Sequence, residues 1–125
     1  MTTADALAIL APHLADEVCV ASNGFMSRAA FGARDRDTSF YMIGSMGLAS
    51  SIGLGIARAQ PSRRVLVFDG DGNVLMNLGT LATVAAAAPR NFLHLCFDNS
   101  AHASIVRSRA STNWAWLVSF IVRVR

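Results

Sequence analysis

Short apolar runs alternate with longer segments of helical spacing along this chain, and several of the runs end in polar loops that contain glycine. The apolar runs predict strands at residues 18–21, 40–43, 64–68 and 91–97. The longer segments predict helices at about residues 3–13, 27–31, 48–59 and 74–88. This order predicts an α/β fold, in which helices flank a parallel sheet and functional groups gather at the carboxyl ends of the strands.

The first helix and the two cysteines give predictions about capping and burial. Thr3 or Asp5 is expected to cap the helix. The apolar face of the helix is expected to comprise Ala6, Leu7, Ile9, Leu10 and Leu14. Cys19 and Cys96 lie in apolar strand runs, so we expect buried thiols that are unreactive at neutral pH.

Polar loops follow the last two predicted strands and carry the residue types of a metal and phosphate site. Residues 69–73 read DGDGN, where glycines let backbone amides approach a phosphate and the carboxylates require a divalent cation between them. Oxygen ligands of this kind suit Mg²⁺, and Asp98 and Asn99 offer more of them at the next strand end. Either loop alone is equally well explained by ordinary capping residues, whereas the two together favour one site.

A third loop, residues 44–47 (GSMG), follows the second predicted strand. Taken alone, it is best explained as a glycine-rich turn between a strand and a helix. Three such loops at three strand ends are better explained by one shared ligand. A dinucleotide-binding site is disfavoured, because Gly70 and Gly72 are not followed by a third glycine at the required offset.

With these motifs in place, residues 40–99 resemble the pyrophosphate-binding domain of thiamine diphosphate enzymes. Gly70-Asp71-Gly72 followed by Asn99 is similar to the diphosphate and Mg²⁺ motif of that family. Within the family, the similarity is greatest to the β subunits of sulfopyruvate decarboxylases, with phosphonopyruvate decarboxylases as near relatives. It is carried by FYMIGSMGLASSIGLGIA, FDGDGNVLMNLGTLATVA and FDNSAHAS, and it covers about the first 104 residues.

The resemblance implies roles for individual positions. Asp71 and Asn99 match the metal ligands, and Ala101 matches the position whose backbone carbonyl completes the metal shell. Met46 matches the apolar wedge under the thiazolium ring, and His102 matches a position in the reaction pocket, although an ordinary loop histidine is equally consistent. The implied cofactor-binding positions are Gly44, Ser45, Met46, Gly70, Asp71, Gly72, Asn73 and Asn99.

The resemblance also implies an activity and a partner. The expected reaction is the thiamine diphosphate- and Mg²⁺-dependent decarboxylation of a 2-oxo acid, with sulfopyruvate giving sulfoacetaldehyde. In the family, a glutamate that activates the aminopyrimidine comes from a different domain, and Glu17 is the only glutamate of this chain. We therefore expect an α subunit that carries the pyrimidine-binding domain, in a hetero-oligomer. The alternatives are a phosphonopyruvate decarboxylase-like enzyme, another 2-oxo acid decarboxylase or synthase, and a non-catalytic fragment.

Composition and charge limit the remaining possibilities. The chain has 125 residues, enough for one domain, and 53% of them are apolar. All eleven basic residues are arginine, which excludes a mechanism that needs a Schiff-base lysine. Two cysteines, an N-terminus unlike a secretory signal and the lack of a long apolar run lead us to expect a cytoplasmic protein without a membrane span.

The charge changes abruptly near the C-terminus. Residues 1–100 contain seven arginines and eight acidic residues, whereas residues 101–125 contain four arginines, both tryptophans and no acidic residue. We expect a partial cofactor-binding domain at residues 1–104 and a divergent basic tail at residues 105–125, produced by a frameshift or a premature ending. An amphipathic segment at a membrane surface and a nucleic-acid contact are weaker alternatives for the tail, and we expect neither partner.

Overall fold

The computed structural model describes residues 2–98, in which four parallel strands form one sheet. The strands are β1 (Val18–Ala21), β2 (Ser39–Tyr41), β3 (Val65–Gly70) and β4 (Phe92–Phe97). Their order in the sheet is β2-β1-β3-β4, and every neighbouring pair is parallel. The predicted α/β fold is confirmed. In the register of β3 and β4, Gly70 lies opposite Phe97, so the loops that follow these two strands begin side by side.

Helices cover both faces of the sheet. They are α1 (Thr3–Leu10), α2 (Phe25–Ala33), α3 (Ala49–Ala59), α4 (Asp71–Met76) and α5 (Gly79–Ala87), with a 3₁₀ turn at Ala11–His13 after α1. Strand residues alternate between two apolar clusters, as the period of a strand requires. Val20 and Val67 pack with Leu54 of α3 and Val84 of α5. Residues of the other strand face pack with α1 and α2, and these are Cys19, Ala21 and Phe68.

Helix α3 approaches the sheet closely because it has a glycine at the contact. A Cβ atom at Gly53 would lie 2.3 Å from Cγ2 of Val67. No side chain larger than hydrogen fits there without movement of the helix or the strand. By contrast, a Cβ atom at Gly55 of the same helix would meet nothing within 4 Å.

The predicted helix at residues 74–88 is wrong, because the structure has two helices there. Helix α4 begins at Asp71, inside the predicted loop, and ends at Met76, after which Asn77 takes a non-helical backbone with φ of −150°. The side-chain amide of Asn77 donates a hydrogen bond to the backbone carbonyl of Gly47 at 3.2 Å. This contact, between residues 30 positions apart, accompanies the break.

Smaller differences concern element ends. Strand β2 ends at Tyr41, and Ile43 is fully exposed beyond it. Helix α2 begins at Phe25 and is longer at both ends than the predicted helix.

The capping prediction for α1 is right that Asp5 takes part in capping but misplaces the N-cap. Thr2 is the N-cap: its hydroxyl accepts from the backbone N–H of Asp5, and the carboxylate of Asp5 accepts from the backbone N–H of Thr2. The predicted apolar face is wrong at Ile9, whose side chain is 61% exposed.

Both cysteines are free thiols. Cys19 is buried as predicted, and burial raises the pKa of its thiol. Cys96 is only half-buried. Among the described residues, no helix has the length and apolar character needed to cross a membrane. The predicted boundary at residue 104 and the basic tail lie outside the described residues.

Candidate functional site

The carboxyl edge of the sheet gathers the segments that follow all four strands. Residues 22–24 follow β1, residues 42–48 follow β2, α4 follows β3 directly, and Asp98 follows β4. Because the strands are parallel, these segments leave the sheet at the same edge. Asn99, Ala101 and His102, which are predicted site residues, lie outside the described residues.

Two hydrogen bonds join the 44–47 loop to the segment after β3. The backbone N–H of Gly47 donates to Oδ1 of Asn73 at 3.2 Å, and this contact is buried. The backbone carbonyl of Gly47 accepts from the side-chain amide of Asn77, also at 3.2 Å. Two of the three predicted loops are thus in direct contact, as one shared site requires. The roles of their residues toward a cofactor stay predictions.

Glycine is the only residue type that suits position 47. Its φ is +87°, in the region that favours glycine, and a Cβ atom would lie 3.0 Å from the Cβ atoms of both Met76 and Asn77. Ser45, two residues earlier, has a φ of +59° although it carries a side chain. A non-glycine residue keeps such a backbone only where its surroundings fix it, and residues of this kind cluster at functional sites. Met46 is half-buried, and Gly44 and Ser45 are exposed.

Aspartates give this edge a negative electrostatic character. Asp71 is the first residue of α4, is half-buried, and accepts a hydrogen bond at Oδ1 from the backbone N–H of Gly72 at 2.9 Å. Burial, followed by the carboxylates of Asp69, Asp71 and Asp98, raises the pKa of the Cys96 thiol to about 12. The carboxylates, which add to the effect of burial in opposing a thiolate, favour a cation at this edge.

A complete metal site is not formed by residues 2–98. Within that range no group of three or more His, Cys, Asp or Glu side chains is placed to hold a metal ion. Of the three predicted metal ligands, Asp71 is the one that lies within the described residues. The other two, Asn99 and Ala101, would supply an amide oxygen and a backbone carbonyl.

Two buried oxygen atoms beside this edge have no hydrogen-bond partner within the described part of the chain. They are Oγ of Ser22, a residue with 0% exposure, and Oδ1 of Asn23. Buried polar atoms are nearly always paired, so atoms of this kind suit a bound polar group or water. The sequence Ser-Asn-Gly at residues 22–24 is typical of a turn. Ser and Asn are common in turns, and nothing in the sequence alone distinguished these two.

The hydroxyl of Ser27 fixes the segments after β1 and β2 relative to each other. It lies 3.1 Å from the backbone carbonyl oxygen of Ala21, 2.7 Å from that of Ser22 and 2.9 Å from that of Met42. One hydroxyl proton is shared among three acceptors in a buried place. This arrangement holds the segment that leads into the 44–47 loop close to the end of β1.

A buried pair of ionisable side chains lies behind the edge. Nε2 of His94 on β4 is 3.2 Å from Oδ2 of Asp69 on β3. Both side chains are 1% exposed. His94 lies in a predicted strand, and Asp69 lies in the loop that follows the preceding predicted strand. Register between strands, which one sequence does not reveal, brings the two together.

Comparison with known proteins shows the family to which the chain belongs. Residues 22–115 match the family model described as thiamine pyrophosphate enzyme, C-terminal TPP binding domain. The sulfopyruvate decarboxylase subunit beta of Methanothermobacter thermautotrophicus is 52% identical over 91 residues, which cover 73% of this chain and 49% of that protein. The corresponding subunit of Methanococcus maripaludis is 44% identical over 104 residues, which cover 83% of this chain and 56% of that protein.

A relative that is not named as a subunit matches a similar part of the sequence. The phosphonopyruvate decarboxylase of Streptomyces viridochromogenes is 50% identical over 96 residues, which cover 77% of this chain and 24% of that protein. The chain thus spans about half the length of the β subunits that it matches. The predicted resemblance is confirmed at the level of the family. The chain belongs to the thiamine pyrophosphate enzymes, within which residues 22–115 correspond to the C-terminal TPP-binding domain.

Proposed function

We propose that this chain is the diphosphate-binding half of a Mg²⁺-dependent 2-oxo acid decarboxylase that acts on sulfopyruvate. The observation that carries the proposal is the buried hydrogen bond from Gly47 to Asn73, which joins two predicted cofactor loops at the carboxyl edge of the sheet. The substrate is inferred from relatives whose names include sulfopyruvate decarboxylase. The fold alone would not specify it, because one fold hosts many functions.

The described residues fit a cofactor with a diphosphate and a divalent cation. The unpaired oxygens of Ser22 and Asn23 offer hydrogen-bonding capacity that the described residues do not use. The carboxylates of Asp71 and Asp98 favour a cation in front of them, and a diphosphate needs such a cation to lie beside carboxylates. Gly47 allows the two loops to lie against each other.

Each proposed role falls on a residue of this chain. Asp71 would hold Mg²⁺ together with Asn99 and the carbonyl of Ala101. The backbone amides of residues 70–73 would hold the diphosphate. Residues 44–46 would hold the rings, with the carbonyl of Gly44 accepting from the aminopyrimidine and Met46 packing below the thiazolium. His102 would line the reaction pocket.

The chemistry that thiamine diphosphate supplies when bound is an electron sink into which a 2-oxo acid loses carbon dioxide. This chain contributes binding, orientation and exclusion of water. Its half-buried Met46 is a flexible apolar side chain that can fill the space beneath a ring. Its Asp71 fixes the cation, and hence the diphosphate, relative to the sheet.

The chain's own glutamate does not serve as the activating group at this site. Glu17 precedes β1 and so lies at the amino end of the sheet, opposite the candidate site. It is 5% exposed, and its Oε1 lies 2.7 Å from Nη2 of Arg64. Hydrogen bonds from its own backbone N–H and that of Ala15, together with Arg64, outweigh burial and hold the pKa of Glu17 below its usual value.

We propose that an α subunit carrying the pyrimidine-binding domain supplies that glutamate in a hetero-oligomer. Two of the relatives are named as beta subunits, which implies a partner subunit for those proteins. Large apolar side chains are also exposed in the two segments joined by the Gly47–Asn73 contact, and these are Ile43, Leu48, Leu75, Met76 and Leu78. Such a surface beside a polar site suits a protein partner. A cytoplasmic location is consistent with the two free thiols.

The direct test is a decarboxylation assay with an α-type partner subunit. The full chain is produced together with the partner and supplied with thiamine diphosphate, Mg²⁺ and one of three substrates: sulfopyruvate, phosphonopyruvate or pyruvate. We expect the highest kcat/KM for sulfopyruvate. A preference for phosphonopyruvate would instead support an activity like that of the Streptomyces relative. A preference for pyruvate would contradict the proposal that the enzyme selects a substrate with an additional anionic group. Asp71→Ala is tested in the same assay. Its matched control is Asp37→Ala, which removes a carboxylate at the opposite edge of the sheet.

A further inference from the structure

The Asp69–His94 pair is placed directly behind the strand end that leads to Asp71. Asp69 is on β3 opposite Cys96 of β4, and His94 is two residues before Cys96, so the two side chains lie on the same side of the sheet. Their distance of 3.2 Å, between Oδ2 and Nε2, and their 1% exposure show that they meet away from water.

Stability alone does not account for such a pair. Removing ionisable groups from water is costly, and replacing a buried pair by apolar side chains of similar size is often neutral or stabilising. The surrounding side chains are apolar: the ring of Phe92 lies 6.3 Å from that of His94, and Val67 is fully buried beside it. A pair in this environment calls for an explanation in the geometry that it imposes.

Both oxygens of the Asp69 carboxylate are engaged. Oδ1 accepts a hydrogen bond from the backbone N–H of Gly70 at 3.0 Å, and Oδ2 faces Nε2 of His94. Nδ1 of His94 is buried and has no partner within the described residues. A buried N–H without an acceptor costs more than a bare lone pair, so we assign the proton of His94 to Nε2, where it is donated to Asp69.

The consequence is a chain of contacts from β4 to the start of α4. Through its Nε2–H, His94 prevents the Asp69 carboxylate from rotating. The carboxylate in turn holds the N–H of Gly70, the residue that ends β3 and precedes Asp71. We propose that Asp69 and His94 are positioning residues that set the orientation of the Gly70–Asp71 peptide, and with it the carboxylate offered to a cation. Only the cofactor-binding arm of the test below rests on the proposed function.

The first readout of the test needs no cofactor. The hydrogen-exchange rate of the Gly70 amide is measured by NMR on the full chain, with the Val67 amide in the same strand as an internal reference. His94→Leu should accelerate exchange at Gly70 by about tenfold relative to Val67, because the carboxylate loses its second anchor. His94→Gln, which keeps a side-chain N–H donor, should retain the wild-type rate. Unchanged exchange at Gly70 in His94→Leu would overturn the proposal.

The second readout is the affinity for thiamine diphosphate with Mg²⁺, measured by calorimetry on the full chain with its partner subunit. Groups that orient a metal ligand typically change affinity by about 10- to 100-fold, and we expect a loss of that size in His94→Leu and rescue in His94→Gln. The double variant Asp69→Leu/His94→Leu separates positioning from stability. It should unfold at a urea concentration at or above that of the wild type, yet remain weak in binding.

Wild-type affinity in the stable double variant would show that the pair has only a structural role. Should His94→Leu fail to fold, His94→Gln and the double variant still decide the question. Should the wild-type complex fail to bind thiamine diphosphate, the proposed function is refuted, while exchange at Gly70 continues to test the positioning role independently.

Discussion

Gly47 offers the sharpest test of how the candidate site is built, because its backbone and its surroundings both exclude a side chain. The change is Gly47→Ala. The alanine would have to adopt a φ of +87°. Its Cβ would lie 3.0 Å from the Cβ atoms of Met76 and Asn77 and 3.3 Å from the backbone oxygen of Asn73. None of these three atoms is the free end of a flexible side chain, so relief requires the loop and α4 to move apart.

The magnitude follows from two contributions. A left-handed backbone costs an alanine about 1–2 kcal/mol relative to glycine. Overpacking against atoms that cannot easily move adds about 1–3 kcal/mol. We therefore expect Gly47→Ala to lower the free energy of unfolding by about 2–5 kcal/mol, a large part of the total for a small domain.

Two matched variants separate these contributions in the same urea unfolding assay. Gly24 combines a φ of +81° with a ψ of −128° and has nothing within 4 Å of a Cβ position, so Gly24→Ala measures the cost of a glycine backbone without a steric contact. Gly44 has open space and no positive φ, so Gly44→Ala should stay within about 0.5 kcal/mol of the wild type. Gly47→Ala and Gly24→Ala should both be more destabilising than Gly44→Ala. If Gly47→Ala were as stable as Gly44→Ala, the close contact between the 44–47 loop and α4 would be refuted.

Three further predictions concern packing, a helix end and a thiol. Gly53→Ala should destabilise the chain by about 1–3 kcal/mol in urea unfolding, because its Cβ would meet Val67. Gly55→Ala on the same helix should be neutral or stabilising. Equal effects of the two variants would contradict the close approach of α3 to the sheet. Ala88 follows the last residue of α5 and has a φ of +40°. Ala88→Gly should therefore raise the free energy of unfolding by about 1 kcal/mol and with it the midpoint of thermal unfolding. A lower midpoint would refute the left-handed cap. Burial raises the pKa of the Cys96 thiol to about 12, so the thiol of the unfolded chain ionises first as pH rises. The contribution of the thiol to stability is therefore full below its ordinary pKa and is lost as pH rises toward 12. Cys96→Ala should reduce this decline in stability, and an unchanged decline in that variant would show that the thiol is not shielded.

The strands and their order along the chain were predictable because parallel strands buried on both faces are short, continuous apolar runs. Val65 and Val67, for example, are completely buried, and their neighbours in the run contact the other apolar cluster. The capping of α1 is also predictable, since Thr2 and Asp5 have the spacing of a capping box. The prediction includes Asp5 but not Thr2, which is the N-cap.

The break between α4 and α5 was not predictable from local sequence. Residues 74–88 form a continuous stretch with no proline, and the break coincides with a hydrogen bond from Asn77 to Gly47, 30 positions away. The same reason applies to the site. The Asp69–His94 pair and the unpaired oxygens of Ser22 and Asn23 depend on strand register and on neighbouring loops, which residue spacing along one chain does not specify.

The measurement that tests the central claim most directly is calorimetric titration of thiamine diphosphate into the full chain with its partner subunit, with and without Mg²⁺. The variant is Asp71→Asn, whose amide keeps the shape and the acceptor for the Gly72 N–H but removes the negative charge. We predict binding that requires Mg²⁺, is lost in Asp71→Asn, and persists in the control Asp37→Asn. Equal affinity of the wild type and Asp71→Asn in the presence of Mg²⁺ would contradict the assignment of the carboxyl edge as the cofactor site.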